Sequence, residues 1–307
     1  MIRARALTKH FGDVIAVDEI DFGLEPGHIT GFLGPNGSGK TTTMRLILGL
    51  DHPTRGKALV NGRPYAELRR PLRTVGSLLE TRSFHPGRRA RDHLAALARS
   101  NAIPGARVDE VLDLVDLKAA ANRRLGTFSL GMAQRIGLAA ALLGDPEILI
   151  LDEPVNGLDP DGIIWLRALL TDLAAQGRTI FVSSHLIDEV ARVADRVIVI
   201  AAGRLLADTT VRELTNQGSG ENVRLRTPAV STLQRELLDA GATVRATASD
   251  CLEVGNMSSA EIADVASSAG IPLHELTTIP ATLEAAYHKL TGSSRDDGDE
   301  PIDRRPR

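Results

Sequence analysis

The chain has 307 residues, which at about 150 residues per domain is one large domain or two ordinary ones. Lys plus Arg number 36 against 39 Asp plus Glu, so the formal net charge of -3 supplies no whole-protein field for drawing in nucleic acid or an anionic membrane surface. Six Phe, two Tyr and one Trp leave little material for base-stacking platforms, and the single Cys251 permits neither an internal disulfide nor a zinc-ligand cluster. No charge-free run reaches the roughly 18 apolar residues needed to span a bilayer. The basic start, Met1 to His10, is followed by Phe11-Gly12-Asp13 rather than by an apolar signal core. These features lead to the expectation of a soluble, cytoplasmic protein.

Residues 1 to about 214 alternate apolar strands with amphipathic helices, the pattern of an α/β domain with a mainly parallel sheet. The first clear strand is Ile29 to Leu33, with a helical run from Met44 to Leu48 soon after. Between residues 88 and 143 the apolar spacing turns helical, as in Leu94, Leu97 and Ala98, and reads as an insertion between two parts of the sheet. Ile148 to Leu151, Thr179 to Val182 and Val197 to Ile200 then lack polar alternation, as expected for strands covered on both faces. Residues 215–220, ending in Ser219-Gly220, read as a linker. Residues 221–292 follow a βαββαβ order with strands near 222–226, 242–248, 252–254 and 271–276, and helices near 231–240 and 259–268. That order is the split-βαβ, ferredoxin-like plan of a small α+β domain. A further helix is expected over 282–290, and the charged residues 293–307 read as a disordered tail.

The stretch Gly34-Pro35-Asn36-Gly37-Ser38-Gly39-Lys40-Thr41-Thr42 follows the first strand and opens a helix, and it satisfies G-x-x-x-x-G-K followed by Ser or Thr. Glycines let the backbone wrap so that successive N–H groups form an anion nest, and the helix N-terminus adds partial positive charge. Lys40 supplies a mobile charge for β- and γ-phosphates, and the Thr41 hydroxyl is a ligand for Mg²⁺. A second oxygen source stands at Asp152, where an apolar strand ends in Asp152-Glu153. Asp152 is placed to hold the metal or its water, and Glu153 to polarise the attacking water.

With these motifs in place, residues 2 to about 214 resemble the ATP-binding subunit of an ABC transporter. Phe128-Ser129-Leu130-Gly131-Met132-Ala133-Gln134-Arg135 resembles the signature usually written L-S-G-G-Q. Ser129 and Gly131 match it, whereas Leu130 and Met132 depart from it. Asn156-Gly157-Leu158-Asp159 resembles the D-loop, and His185 the switch histidine that contacts the γ-phosphate. Phe11, 29 residues before Lys40, stands where this family usually places an adenine-stacking aromatic. Glu80 occupies the position of a glutamine that reaches the metal and the attacking water. Glutamate there can still ligate Mg²⁺, and it resembles the bacitracin-export and lantibiotic-immunity subgroup. Pro280 to Gly292 resembles the ending of drug-exporter ATPases of the daunorubicin type.

The resemblance implies a P-loop NTPase fold, with a RecA-like sheet core and the ABC helical subdomain, that hydrolyses ATP with Mg²⁺. It implies a second copy in an ATP-dependent head-to-tail dimer, where Ser129 and Gly131 of one chain face the P-loop of the other. Asp159 would join each shared site. It also implies separate transmembrane permease subunits, received near Ser83 to His85 on the cytoplasmic face of the membrane, and no nucleic acid. The reading is an exporter of an antibiotic or other hydrophobic compound. An importer ATPase and a soluble ABC protein acting on ribosomes or DNA are the alternatives. One P-loop, one Cys and the lack of a long heptad run weigh against the soluble class. The role of the C-terminal domain stays open between regulation, pairing of subunits and capping.

Overall fold

The computed structural model describes residues 1–218, 222–279 and 282–296. These fall into two compact units that divide between Thr210 and Val211. In the first unit, the hairpin β1 (Ile2–Phe11) and β2 (Val14–Leu24) is followed by β3 (Ile29–Leu33), α1 (Lys40–Ile47) and β4 (Arg55–Val60). A short α2 (Pro71–Thr74) leads into β5 (Val75–Leu78). Three helices come next, α3 (Ala90–Ser100), α4 (Ala106–Leu114) and α5 (Leu130–Leu142). The chain returns through β6 (Ile148–Asp152), α6 (Pro160–Ala175), β7 (Thr179–Ser184), α7 (Ile187–Ala191), β8 (Arg196–Ala201) and β9 (Arg204–Thr210).

Six of these strands form one sheet in the order β5-β6-β7-β3-β8-β9, parallel except for the antiparallel edge strand β9. Its central strands are apolar without alternation because each face meets a different core, and successive side chains alternate between the two. Leu149, Leu151, Ile180 and Val182 join the core that also holds α3, α4, α5 and α6. Ile148, Ile150, Phe181 and Ile198 join the other, with α1 and the first hairpin. There Phe181 stacks on Phe32 with centroids 4.9 Å apart and on Phe22 at 5.8 Å. Across the first core, the Arg135 guanidinium of α5 sits 4.4 Å from the centre of the Trp165 ring on α6.

A second sheet, β2-β1-β4, is antiparallel throughout and was not foreseen from the sequence. β1 carries bulges where its pairing with β2 shifts at Ala4, Leu7 and Lys9, and these break the simple polar-apolar alternation. The helix that begins at Lys40 starts four residues earlier than its apolar run, since its first turn carries Thr and Lys rather than apolar side chains.

The second unit contains α8 (Val211–Gly218), β10 (Asn222–Arg226), α9 (Val230–Asp239), β11 (Thr243–Ala248), β12 (Cys251–Gly255), α10 (Ser259–Ser268), β13 (Glu275–Ile279) and α11 (Leu283–Asp296). Its sheet runs β11-β12-β10-β13 with every neighbour antiparallel, which is the connectivity of a split βαβ. Val223, Leu225, Leu252 and Val254 of the sheet pack on Leu233 and Leu237 of α9 and Ile262 of α10. The boundary expected after residue 214 moves to 210, because 211–218 form a helix that packs against α11. The expected strand at 271–276 begins at Glu275: Pro272 has no N–H to donate, and the Ile271 N–H closes the end of α10 on Ala266. α11 continues to Asp296, past the expected start of a tail at 293. Residues 219–220 of the expected linker, Pro280 and Ala281 of the terminal motif, and residues 297–307 lie outside the described residues.

Removing the ring of Phe181 should leave a cavity between β7, Phe22 and Phe32. Phe181→Ala is expected to lower stability by about 3–5 kcal/mol in a denaturant titration. Ile164→Ala, at a position 61% exposed, should change it by less than about 0.5 kcal/mol.

Candidate active site

Three adjacent strand ends build the site. Parallel register sets Leu33 of β3 beside Ser184 of β7, and Asp152 of β6 beside Ser183. The loop after β3, the Asp152-Glu153 pair and the Ser183-Ser184-His185 run therefore leave the sheet along the same edge. That edge, at the carboxyl ends of the strands, is where open α/β sheets form ligand crevices.

The loop Gly34–Gly39 is a cradle closely packed at both its ends, Gly34 and Gly39. Gly39 stands at φ +104°, and a Cβ there would overlap the carbonyl oxygen of Ala16. α1 has no acidic residue in its first turn and no side-chain cap, so its leading N–H groups are left to an anion. The Ser38 hydroxyl is buried beside Gly34 without a protein partner. Lys40 is only 7% exposed, and its ammonium donates to the carbonyls of Gly34 at 2.7 Å and Pro35 at 3.3 Å. Burial pushes its pKa below the ordinary lysine value, while the charges of Glu153 and Asp152 pull it back up. Nest and buried cation together fit a polyphosphate.

Both oxygens of Asp152 are fixed. Thr41 donates to Oδ2 at 2.5 Å, and the buried Ser183 hydroxyl donates to Oδ1. Ser183 Oγ also accepts the Glu153 N–H at 2.9 Å. Glu153 takes the left-handed conformation, φ +49°, which turns the chain sharply off the end of β6. Its carboxylate lies 2.7 Å from Nδ1 of His185 and accepts the His185 backbone N–H at 3.3 Å. Residues of the loop and of the first turn of α1, with Asp152 and Glu153, line a cleft of about 200 Å³. Among the described residues no three His, Cys, Asp or Glu side chains converge as metal ligands. The Thr41 hydroxyl and the Asp152 carboxylate are instead a partial set of hard oxygens. Such a set suits Mg²⁺, which completes its shell with phosphate and water.

The other expected residues stand outside this cleft. Phe11 is 49% exposed at the end of β1, with Lys9 Nζ 4.8 Å above its ring, so the aromatic belongs to the surface rather than the core. Glu80 is exposed just beyond β5, and Ser83 donates to its carbonyl at 3.2 Å. The Asp51 hydrogen bond and charge hold Arg45 of α1 above its ordinary pKa, and the charge of Glu80 adds to them. Ser129 caps α5 by accepting the Met132 N–H at 3.2 Å, and Asp159 caps α6 by accepting the Gly162 N–H at 2.9 Å. Gly157, at φ +79°, lies under Leu130, and a Cβ there would strike the Leu130 side chain. The turn before α6 is thus seated on the start of α5.

Ser183, Gln134 and Thr81 were not singled out by the sequence. Gln134 is fully buried in α5; its Nε2 donates to the carbonyls of Pro154 at 2.9 Å and Glu153 at 3.4 Å, and its Oε1 accepts from Thr81 at 2.7 Å. A signal was present for two of them. Ser183 follows an apolar strand in step with Asp152, and Gln134 is a lone amide on the buried side of an Ala-rich helix.

Comparison with known proteins agrees with this geometry. The ABC transporter family matches residues 17–156, and a domain of unknown function (DUF8746) matches residues 221–284. The bacitracin transport ATP-binding protein BcrA of Bacillus licheniformis is 43% identical over 211 residues, covering 68% of this chain and 69% of that protein. The Nod factor export ATP-binding protein I of Burkholderia lata is 36% identical over 241 residues, covering 76% of this chain and 79% of its own length. Among solved structures, an ATP-binding subunit of an ABC transporter superposes with a TM-score of 0.65 at 26% identity, over 71% of this chain and 92% of that one. MJ0796, a bacterial ABC transporter cassette with a dimeric structure, gives 0.63 at 25% identity, over 68% and 98%. The phosphate cradle, the acids at the end of β6 and these likenesses converge on one conclusion: the chain belongs to the ABC transporter family, as an ATP-binding subunit.

Proposed function

We propose that this chain hydrolyses ATP to drive export of an antibiotic or another hydrophobic compound through separate membrane subunits. The observation that carries the catalytic part is Glu153, a carboxylate held by His185 at the mouth of a phosphate cradle. Support for export comes from the names of the relatives, which include bacitracin transport and Nod factor export. No helix among the described residues is long and apolar enough to cross a membrane, so the path for the compound is assigned to partner chains on whose cytoplasmic face this subunit would sit.

In this reading backbone N–H groups of the loop and of the first turn of α1, with the Lys40 ammonium, hold the β- and γ-phosphates, and Phe11 offers its exposed face to the adenine. Thr41 and Asp152 would hold Mg²⁺, which when bound neutralises charge on the transferring phosphoryl group. Glu153 accepts the proton of the attacking water as its oxygen bonds to the γ-phosphorus and the bond to the β-γ bridging oxygen breaks. His185 orients that carboxylate and reaches the γ-phosphate. Ser129 and Gly131 open a helix away from the cleft of their own chain, and the proposed head-to-tail dimer delivers them, with Asp159, to the cleft of a second copy. A dimeric neighbour among solved cassettes supports pairing.

Glu153→Gln keeps the shape and the contact with His185 but cannot take a proton. Steady-state phosphate release should fall to background, while ATP binding and an ATP-dependent dimer in size-exclusion chromatography persist. Wild-type turnover in that variant would remove Glu153 from the role of base. Glu80→Ala, at an exposed position beyond β5, should cut kcat and raise the Mg²⁺ concentration needed for half-maximal rate. An unchanged rate and metal requirement would mean that Glu80 takes no part in the reaction. Export itself is tested by pairing this subunit with its membrane partner in vesicles and following ATP-dependent movement of the compound.

A further inference from the structure

We propose that Thr81 and Gln134 form a neutral hydrogen-bond relay that positions Glu153, so that the segment beyond β5 controls the catalytic carboxylate through the backbone that carries it. The proposal rests on the assignment of Glu153 as the base.

The Gln134 amide is committed in both directions. Its nitrogen faces two backbone carbonyls, Pro154 and Glu153, which can only accept, so its oxygen must be the end that takes the Thr81 hydroxyl proton. The chain of bonds therefore has one direction, from Thr81 Oγ1–H to Gln134 Oε1 and from Gln134 Nε2–H to the carbonyls. The other buried side chains of the α5 helix are apolar, among them Ile136, Leu138 and Leu142. A fully buried amide in such surroundings has strong reason to keep every bond it makes.

What the amide holds is a strained point. A glutamate at φ +49° persists only where its surroundings over-determine it. Four residues bond Glu153: Ser183 on its N–H, His185 on its carboxylate and, on its carbonyl, Gln134 together with the Asn156 N–H of the following turn. The first two come from β7 and the turn after it, inside the sheet. The third comes from α5, and through Thr81 it reaches the residue next to Glu80. α5 also begins at Ser129 and presses Leu130 on Gly157. A shift of residues 80–86, or of the start of α5, would thus be transmitted to the peptide groups on either side of Pro154 without any charged intermediary. Gln134 and Thr81 are positioning residues in this account, since neither lines the phosphate cleft.

The test uses the full chain and steady-state ATP hydrolysis, with kcat and KM separated and thermal stability followed alongside. Thr81→Val removes the hydroxyl at similar volume, and kcat should fall about five- to tenfold with KM for ATP within about twofold. Thr81→Ser should restore the wild-type rate. Gln134→Leu should be slower still, and adding Thr81→Val to it should cost nothing more, because the two act in series. Should Gln134→Leu fail to fold, the valine and serine variants carry the comparison alone. Multiplying effects in the double variant, or a Thr81→Val enzyme with wild-type kcat, would overturn the relay. Glu153→Gln is measured in the same series: if it is inactive while Thr81→Val is normal, only the relay fails, and if it turns over, the base assignment fails and the relay goes with it.

Discussion

β7 lies between β3 and β6, and everything else at the site depends on that parallel pairing. Hydrogen bonding in register makes the three strands end level, so a phosphate loop, an acid pair and a serine-histidine run from distant parts of the sequence meet without further adjustment. Ser183 shows how tightly the register is used. Its hydroxyl touches the side chain of Asp152 and the backbone of Glu153, and a slip of one residue would turn it to the opposite face of the sheet. The two cores guard against that slip, because Leu149 and Ile150 face different packing partners.

Much of this was legible in the sequence. Gly34 to Thr42, Asp152-Glu153 and His185 are short motifs whose chemistry is local, and each stands at a strand end as expected. β6, β7 and β8 carry runs without polar alternation, and those runs fix their places to within a residue or two, whereas β5, with Gly76 and Ser77, was not foreseen as a strand. The second antiparallel sheet was not legible, since bulges in β1 mix its polar and apolar positions. Nor was the role of Gln134, because its partners come from residues 81, 153 and 154, and tertiary pairing of an amide leaves no spacing to read.

Family likeness and local physics place different weights on the signature segment. Likeness alone would have Leu130 and Met132 as blemishes in a phosphate-binding motif. In the fold, Leu130 lies over Gly157, where glycine is required both by its positive φ and by the lack of room for a Cβ. The departure from the usual sequence is therefore matched by a contact. The helix start and the turn before α6 form one fitted piece.

The Arg135–Trp165 contact has a practical side. This chain has one tryptophan, so all of its indole emission comes from a single ring on α6, stacked against a guanidinium of α5. The helix capped by Ser129 thus packs against a native optical gauge. Sliding of α5 against α6 during a catalytic cycle would register in the emission of the unlabelled protein, on the timescale of the motion itself.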